Sequence, residues 1–224
     1  ADTGTVKWRI PIDKTWSTGG SSVAYYNVTI SNVAINKTIT LAADLNVNGN
    51  FYIENGNFDA AGFNISVAGN WTNSDNFVSG ANTVTFDGTG TQTIITGGTG
   101  AGNDFNNVTI NSSGTVGLST NNILINGNMA ISSGTFDING KNITVTGTFS
   151  NDANFQLQGD ETLTLTADTN TGLVTYDGSG AYASGLIYGD TYNDLTFNGT
   201  GSWTLDAILD VTDDLTITTG TLNS

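Results

Sequence analysis

The chain has 224 residues, 37% of them hydrophobic, with 29 Gly, one Pro, no Cys and no His. That length supports one domain with a substantial core and argues against disorder. The formal charge of -15, from 20 acidic and five basic residues, repels phosphate backbones and anionic lipid and so excludes nucleic acid as a partner.

Charged residues are only 11% of the chain. The polar remainder is mostly Thr, Asn, Ser and Gly, which suit strand surfaces and tight turns, so the expected class is all-β. Apolar runs are a few residues long, far below the about 20 that cross a bilayer, and no membrane span is expected. Residue 1 opens without a basic and then apolar leader, so any secretion signal is expected to have been removed.

Residues 1–24, ADTGTVKWRIPIDKTWSTGGSSVA, stand apart from the rest of the chain: they hold Pro11, Trp8, Trp16 and three of the five basic residues, Lys7, Arg9 and Lys14. One reading is a cap over the open end of the fold. The other is an interaction strand for a neighbouring subunit, TVKWRIPI, with Val6, Trp8 and Ile10 on one face.

From Tyr25 the chain repeats. YYNVTI at Tyr25, FNNVTI at Phe105 and YNDLTF at Tyr192 begin three long copies, about 80 residues apart, and short strand phrases recur inside them at about 15 to 24 residues. These phrases include Val28–Ile30, Ile65–Val67, Val84–Phe86, Val108–Ile110, Ile143–Val145, Leu163–Leu165, Val174–Tyr176 and Leu195–Phe197. Apolar residues alternate with Thr, Ser or Asn, the period of a strand with one buried face. Between phrases lie Asn48-Gly49-Asn50, Asn55-Gly56, Ala68-Gly69-Asn70, Asp87-Gly88, Asn126-Gly127, Asn139-Gly140 and Asp177-Gly178, expected to supply positive φ at corners. Such dipeptides also suit hairpins, so an antiparallel sandwich or barrel is the alternative fold. Phe51, Phe58, Trp71, Phe77, Met129, Phe136, Phe149 and Phe155 recur at matching places, as a stacked core column requires.

The repeats ANTVTFDGTGTQTI, FNNVTINSSGTVGL, INGNMAISSGTFDINGKNITVTGTF and YNDLTFNGTGSWTL resemble those of large bacterial and archaeal surface proteins of the right-handed parallel β-helix, haemagglutinin-like adhesin type. The resemblance covers roughly Tyr25 to Ser224 and implies a secreted or surface-displayed structural, adhesive or filament-forming protein. It transfers no catalytic residues.

The residues themselves offer little chemistry. Without His or Cys there is no imidazole base, thiolate or common zinc site. The β-helix lyases need an Arg or Lys base, and the repeat body has only Lys37 and Lys141, both beside Asn and read as solvated. A glycoside hydrolase needs two carboxylates about 5 to 10 Å apart. Acidic residues cluster at Asp206, Asp210, Asp213 and Asp214 and at Asp160 and Glu161, where corner turns that tolerate Asp are the simpler account. The acidic surplus offers oxygen ligands for structural calcium, but no EF-hand loop or nonapeptide calcium repeat is present, so no ligands are assigned. DGTGTQ and GGTGAG lack the Lys and following helix of a phosphate loop and read as corners. Asn-X-Ser/Thr triplets at Asn27, Asn36, Asn64, Asn70, Asn107, Asn111, Asn142 and Asn198 are about as many as the composition gives by chance. Outward Thr at Thr83/Thr85, Thr144/Thr146, Thr162/Thr164/Thr166 and Thr216/Thr218 raises an ice-binding alternative, weakened by uneven turn lengths.

The expectation is therefore an all-β single right-handed parallel β-helix of about ten rungs over residues 25–224, roughly 50 Å long, behind an atypical segment 1–24. It is expected to be extracellular or at the cell surface, non-enzymatic and without a cofactor. Its partner would be further copies of itself, joined head to tail. The open last rung, with Leu209, Val211, Leu215, Ile217 and Leu222, would accept the next subunit's N-terminal strand carrying Val6, Trp8 and Ile10. The alternatives are a monomeric adhesin that binds surface glycans, and a β-helix carbohydrate-active enzyme.

Overall fold

The computed structural model describes residues 4–32, 34 and 36–224, so the first three residues of the N-terminal segment lie outside it. The described chain contains no helix and winds as a parallel β-solenoid of about 11 turns, close to the expected ten. One face carries a strand from every turn, in the order Thr5–Trp8, Asn27–Ser31, Phe51–Asn55, Trp71–Asn73, Gln92–Ile95, Asn107–Leu118, Met129–Asp137, Asn154–Leu157, Leu173–Tyr176, Asp194–Phe197 and Leu215–Ile217. Successive strands pair in parallel, as in Val28 with Phe51, Phe51 with Trp71 and Val174 with Leu195, which excludes the antiparallel sandwich.

The alternation read from sequence sets which side chains enter the core. Asn27–Ser31 and Thr83–Phe86 each bury two apolar residues and turn the polar ones outward. Because each turn lies on the last at about 4.8 Å, equivalent inward residues form continuous columns. Val116, Phe136, Phe155, Val174 and Leu195 make one such column, all at most 3% exposed. The expected aromatic stacking is present: Phe51 lies on Trp71 with centroids 4.7 Å apart, Phe58 on Phe77 at 6.1 Å and Phe136 on Phe155 at 6.2 Å.

The corner glycines work differently from expectation. Gly56 and Gly140 have positive φ, of 88° and 71°, but Gly49, Gly69, Gly88, Gly127 and Gly178 do not. Those five sit where the chain passes directly over the turn below, and a Cβ on Gly69 would collide with the Gly49 carbonyl carbon and oxygen. Gly69 N–H instead donates to Gly49 O at 2.9 Å, and Gly147 N–H to Gly127 O at 2.9 Å. Close approach between turns, rather than backbone handedness, selects glycine there.

A second corner device was not foreseen. Asn50 N–H donates to Asn27 Oδ1 at 2.8 Å, Asn70 N–H to Asn50 Oδ1 at 2.9 Å, and Thr93 N–H to Asn70 Oδ1 at 2.8 Å. The same bond runs from Asn128 N–H to Asn107 Oδ1 and from Thr148 N–H to Asn128 Oδ1, from Asn64 to Asp44 and Thr83 to Asn64, and from Asn142 to Asn122 and Thr162 to Asn142. Each donor immediately precedes an inward apolar residue, where the backbone N–H would otherwise have no partner in the turn below. The ladder also accounts for the Asn-X-Ser/Thr triplets at Asn27, Asn64, Asn70, Asn107 and Asn142, which read as ladder Asn, inward apolar residue, outward Ser or Thr. Their recurrence is structural rather than a matter of chance composition.

Asn50→Ala removes one ladder acceptor from an exposed corner and is expected to lower unfolding free energy by about 1 kcal/mol. Asn50→Asp keeps Oδ1 in place and is expected to recover most of that loss, measured as the midpoint of thermal unfolding.

Candidate assembly interface and the other candidate sites

The eight residues singled out for assembly fall at the two ends of the solenoid. Val6 and Trp8 lie on Thr5–Trp8, which pairs with Asn27–Ser31 of the same chain, Val6 opposite Val28 and Trp8 opposite Ile30. This strand therefore has one edge occupied by its own second turn. Trp8 and Ile10 are half-buried against the core. Trp8 packs on Trp16 at 5.1 Å and Trp16 on Tyr25 at 5.2 Å, so three aromatic rings from one turn cover the core at this end. Tyr25 is fixed by donating its hydroxyl to Thr18 O at 2.9 Å. The Trp8 indole Nε1 is buried without a hydrogen-bond partner among the described residues.

At the other end Leu215 and Ile217 stand opposite Leu195 and Phe197. Leu195 and Phe197 are fully buried, whereas Leu215 is 48% and Ile217 49% exposed. The strand Leu215–Ile217, the last on this face, has no described turn over it. Leu222 stacks over Trp203, and Val211 pairs with Tyr192. Leu209, Val211 and Leu222 are half-buried, so the structure places all five of these residues in the last two turns.

The ladder reaches this end too. Asp214 N–H donates to Asp194 Oδ1 at 3.0 Å, as Asn50 does to Asn27. Asp194, Asp213 and Asp214 each place a carboxylate oxygen within 4.8 Å of the others, with Asp213 and Asp214 exposed. The sequence grouped Asp213 and Asp214 with Asp206 and Asp210; the fold adds Asp194 from the turn below.

The other acidic pair, Asp160 and Glu161, splits by role. Glu161 is 5% exposed and accepts the backbone N–H groups of Gln158 at 2.7 Å and Gly159 at 2.8 Å, so its carboxylate holds a corner. Asp160 lines a depression of about 370 Å³ with Gly159, Tyr182, Ser184 and Ile187, and it is the one carboxylate in that lining. Tyr182 is stacked on Trp203 at 5.5 Å, and a Cβ on Gly159 would collide with both side chains. The two basic residues of the repeat body are surface groups: Lys37 lies 3.6 Å from Asp13, and Lys141 donates to Asn139 O. The outward positions over one face run Asn46, Ser66, Thr85, Thr109, Ala130 and Ser150, a mixed column rather than an unbroken line of Thr.

Comparison with known proteins finds no family model, no curated protein and no solved structure that matches the chain. Among the described residues no helix is long and apolar enough to cross a membrane.

Glu54 and Asp137 are among the titratable groups that depart from ordinary behaviour. Lys7 Nζ lies 2.6 Å from Glu54 Oε2 and holds that carboxyl below its usual value. Burial pushes Asp137 up to about 6, partly offset by the N–H of Asn139, and the charges of Asp177 and Glu161 add to the rise. Since folding raises this pKa from 3.8, the folded state favours the protonated acid. The contribution of Asp137 to stability is then fully present below about pH 4, is lost as pH rises toward about 6, and is absent above that. Asp137→Asn keeps the acceptor for Asn139 and is expected to flatten this part of the melting-temperature profile and to stabilise the protein at pH 7.

Proposed function

We propose that the protein is a non-enzymatic extracellular structural subunit whose copies associate end to end into a filament. One observation carries this reading: Leu215 and Ile217 continue columns that are buried in the turn below, yet each is about half exposed on a strand that no described turn covers. A strand edge with apolar side chains on its inner face is a template for strand addition. The matching surface is the outer edge of Thr5–Trp8 with Val6, Trp8 and Ile10, which begins the same face of the solenoid. A contact between two different ends does not close on itself and so propagates. The Thr- and Asn-rich, Cys-free surface and the resemblance of the repeats to those of surface-displayed β-helix proteins support an extracellular or cell-surface location.

A second reading, a monomeric adhesin that binds glycans through a lateral face, is favoured by the aromatic cover of Trp8, Trp16 and Tyr25. A core already closed at one end has less need of a neighbour.

Electron microscopy of the purified protein decides between them, since filaments are expected and dispersed single solenoids would overturn the assembly reading. The double substitution Leu215→Asn and Ile217→Asn is expected to abolish filaments while the monomer still unfolds cooperatively at a somewhat lower temperature, because the half of each side chain that rests on Leu195 and Phe197 loses its apolar contact. Deleting residues 1–12 is expected to block assembly. Filaments that survive the deletion would remove the N-terminal strand from the contact.

A further inference from the structure

Basic residues are gathered at one end of the solenoid. Residues 1–37 hold Lys7, Arg9, Lys14 and Lys37 against Asp2 and Asp13, whereas from residue 38 onward Lys141 alone stands against eighteen acidic residues. Lys7 is paired with Glu54, whose carboxyl also feels the charge of Arg9, and Lys37 with Asp13, while Arg9 and Lys14 are exposed and lie within 4.0 Å of no carboxylate oxygen among the described residues. At the far end Asp206, Asp210, Asp213 and Asp214 are all exposed, and no Lys or Arg occurs after Lys141.

The corner ladder is directional as well. Every ladder bond runs from a backbone N–H down to an Asn or Asp Oδ1 of the preceding turn, just before an inward apolar residue. Asp214 fills that position in the last turn, before Leu215, and among the described residues its carboxylate accepts no hydrogen bond. The corresponding position of the first turn is Thr5, before Val6, in register with Asn27.

We infer that the partner of the acidic end is the basic first turn of a second copy, bound with fixed head-to-tail polarity by charge and by continuation of the ladder, with Asp214 Oδ1 accepting the N–H of the incoming Thr5. The inference rests on the end-to-end reading and adds its charge complementarity, its ladder residue and its dependence on salt. Two acidic ends repel, so tail-to-tail pairing is disfavoured, and opposite charges steer the productive encounter. Contact charges at the solvent-exposed rim are screened within about 8 Å at physiological ionic strength, so assembly weakens as salt rises.

The test uses the full chain in sedimentation velocity, with strand circular dichroism and thermal unfolding to verify folding. The wild-type association constant is expected to fall at least about tenfold between about 20 mM and about 500 mM NaCl. Two charge-reversed proteins, Arg9→Glu with Lys14→Glu and Asp210→Lys with Asp213→Lys, are each expected to remain monomeric alone. Mixed in equal amounts they present opposite charges at both contacts and are expected to assemble as alternating copolymers. Asp214→Asn retains the acceptor and is expected to assemble better than Asp214→Ala.

Wild-type protein that assembles without regard to salt, or a mixture that stays monomeric while wild type assembles, would overturn the polar contact and leave the end-to-end reading standing. Equal assembly of Asp214→Asn and Asp214→Ala would remove the ladder bond. Wild-type protein that stays monomeric at every salt concentration would overturn the end-to-end reading itself. The salt series on the unaltered chain decides the matter even if a reversed variant does not fold.

Discussion

The spacing of about 4.8 Å between hydrogen-bonded strands governs this molecule. A solenoid must hold that distance at its corners as well as on its faces, and at corners the strand ladder is interrupted. Two residue types meet the constraint. Glycine at Gly49, Gly69, Gly127 and Gly147 lets one backbone lie on another without a Cβ between them. Asparagine at Asn27, Asn50, Asn70, Asn107 and Asn128 reaches up with its side-chain carbonyl to the N–H of the following turn. The Asn- and Gly-rich composition is thus a consequence of stacking.

Columns make the energetics nearly one-dimensional. Each inward residue is buried by the turns on either side, so the interior of the stack is satisfied while its ends are not. Phe197 is fully buried because turns lie both above and below it; Ile217, one turn later, has only the lower neighbour and is half exposed. Among the described turns the first places Trp8, Trp16 and Tyr25 over the core, whereas Leu215 and Ile217 lie on a strand that no described turn covers. This asymmetry between ends, reinforced by the segregation of charge, is what gives the proposed assembly its direction.

Much of the architecture was legible because the signals were local. Alternation in phrases such as Val84-Thr85-Phe86 identified strands and their buried faces, and the recurrence of Phe51, Trp71, Phe136 and Phe155 identified stacked aromatic columns. The corner chemistry was legible in composition but not in role. Gly49 and Gly69 look like turn glycines until the turn beneath them is known, and the Asn-X-Thr triplets look like chance composition until Asn50 is seen beneath Asn70. The strand Thr5–Trp8 lacks the Asn-Gly corners that mark the repeat, so its place as a turn of the same stack emerged only from its pairing with Asn27–Ser31.

The sequence by itself determined that the chain is all-β, that its strands repeat, which side chains face inward and that its charge is acidic with the bases near one end. These properties rest on period and composition, which a side chain carries whatever its neighbours. Only the tertiary structure decided which residues lie above one another, and with that the Gly contacts, the Asn ladder, the joining of Asp194 to Asp213 and Asp214, and the burial of Glu161 beside an exposed Asp160. Each depends on the register between turns about 20 residues apart, and uneven corner lengths hide that register until the backbone hydrogen bonds fix it.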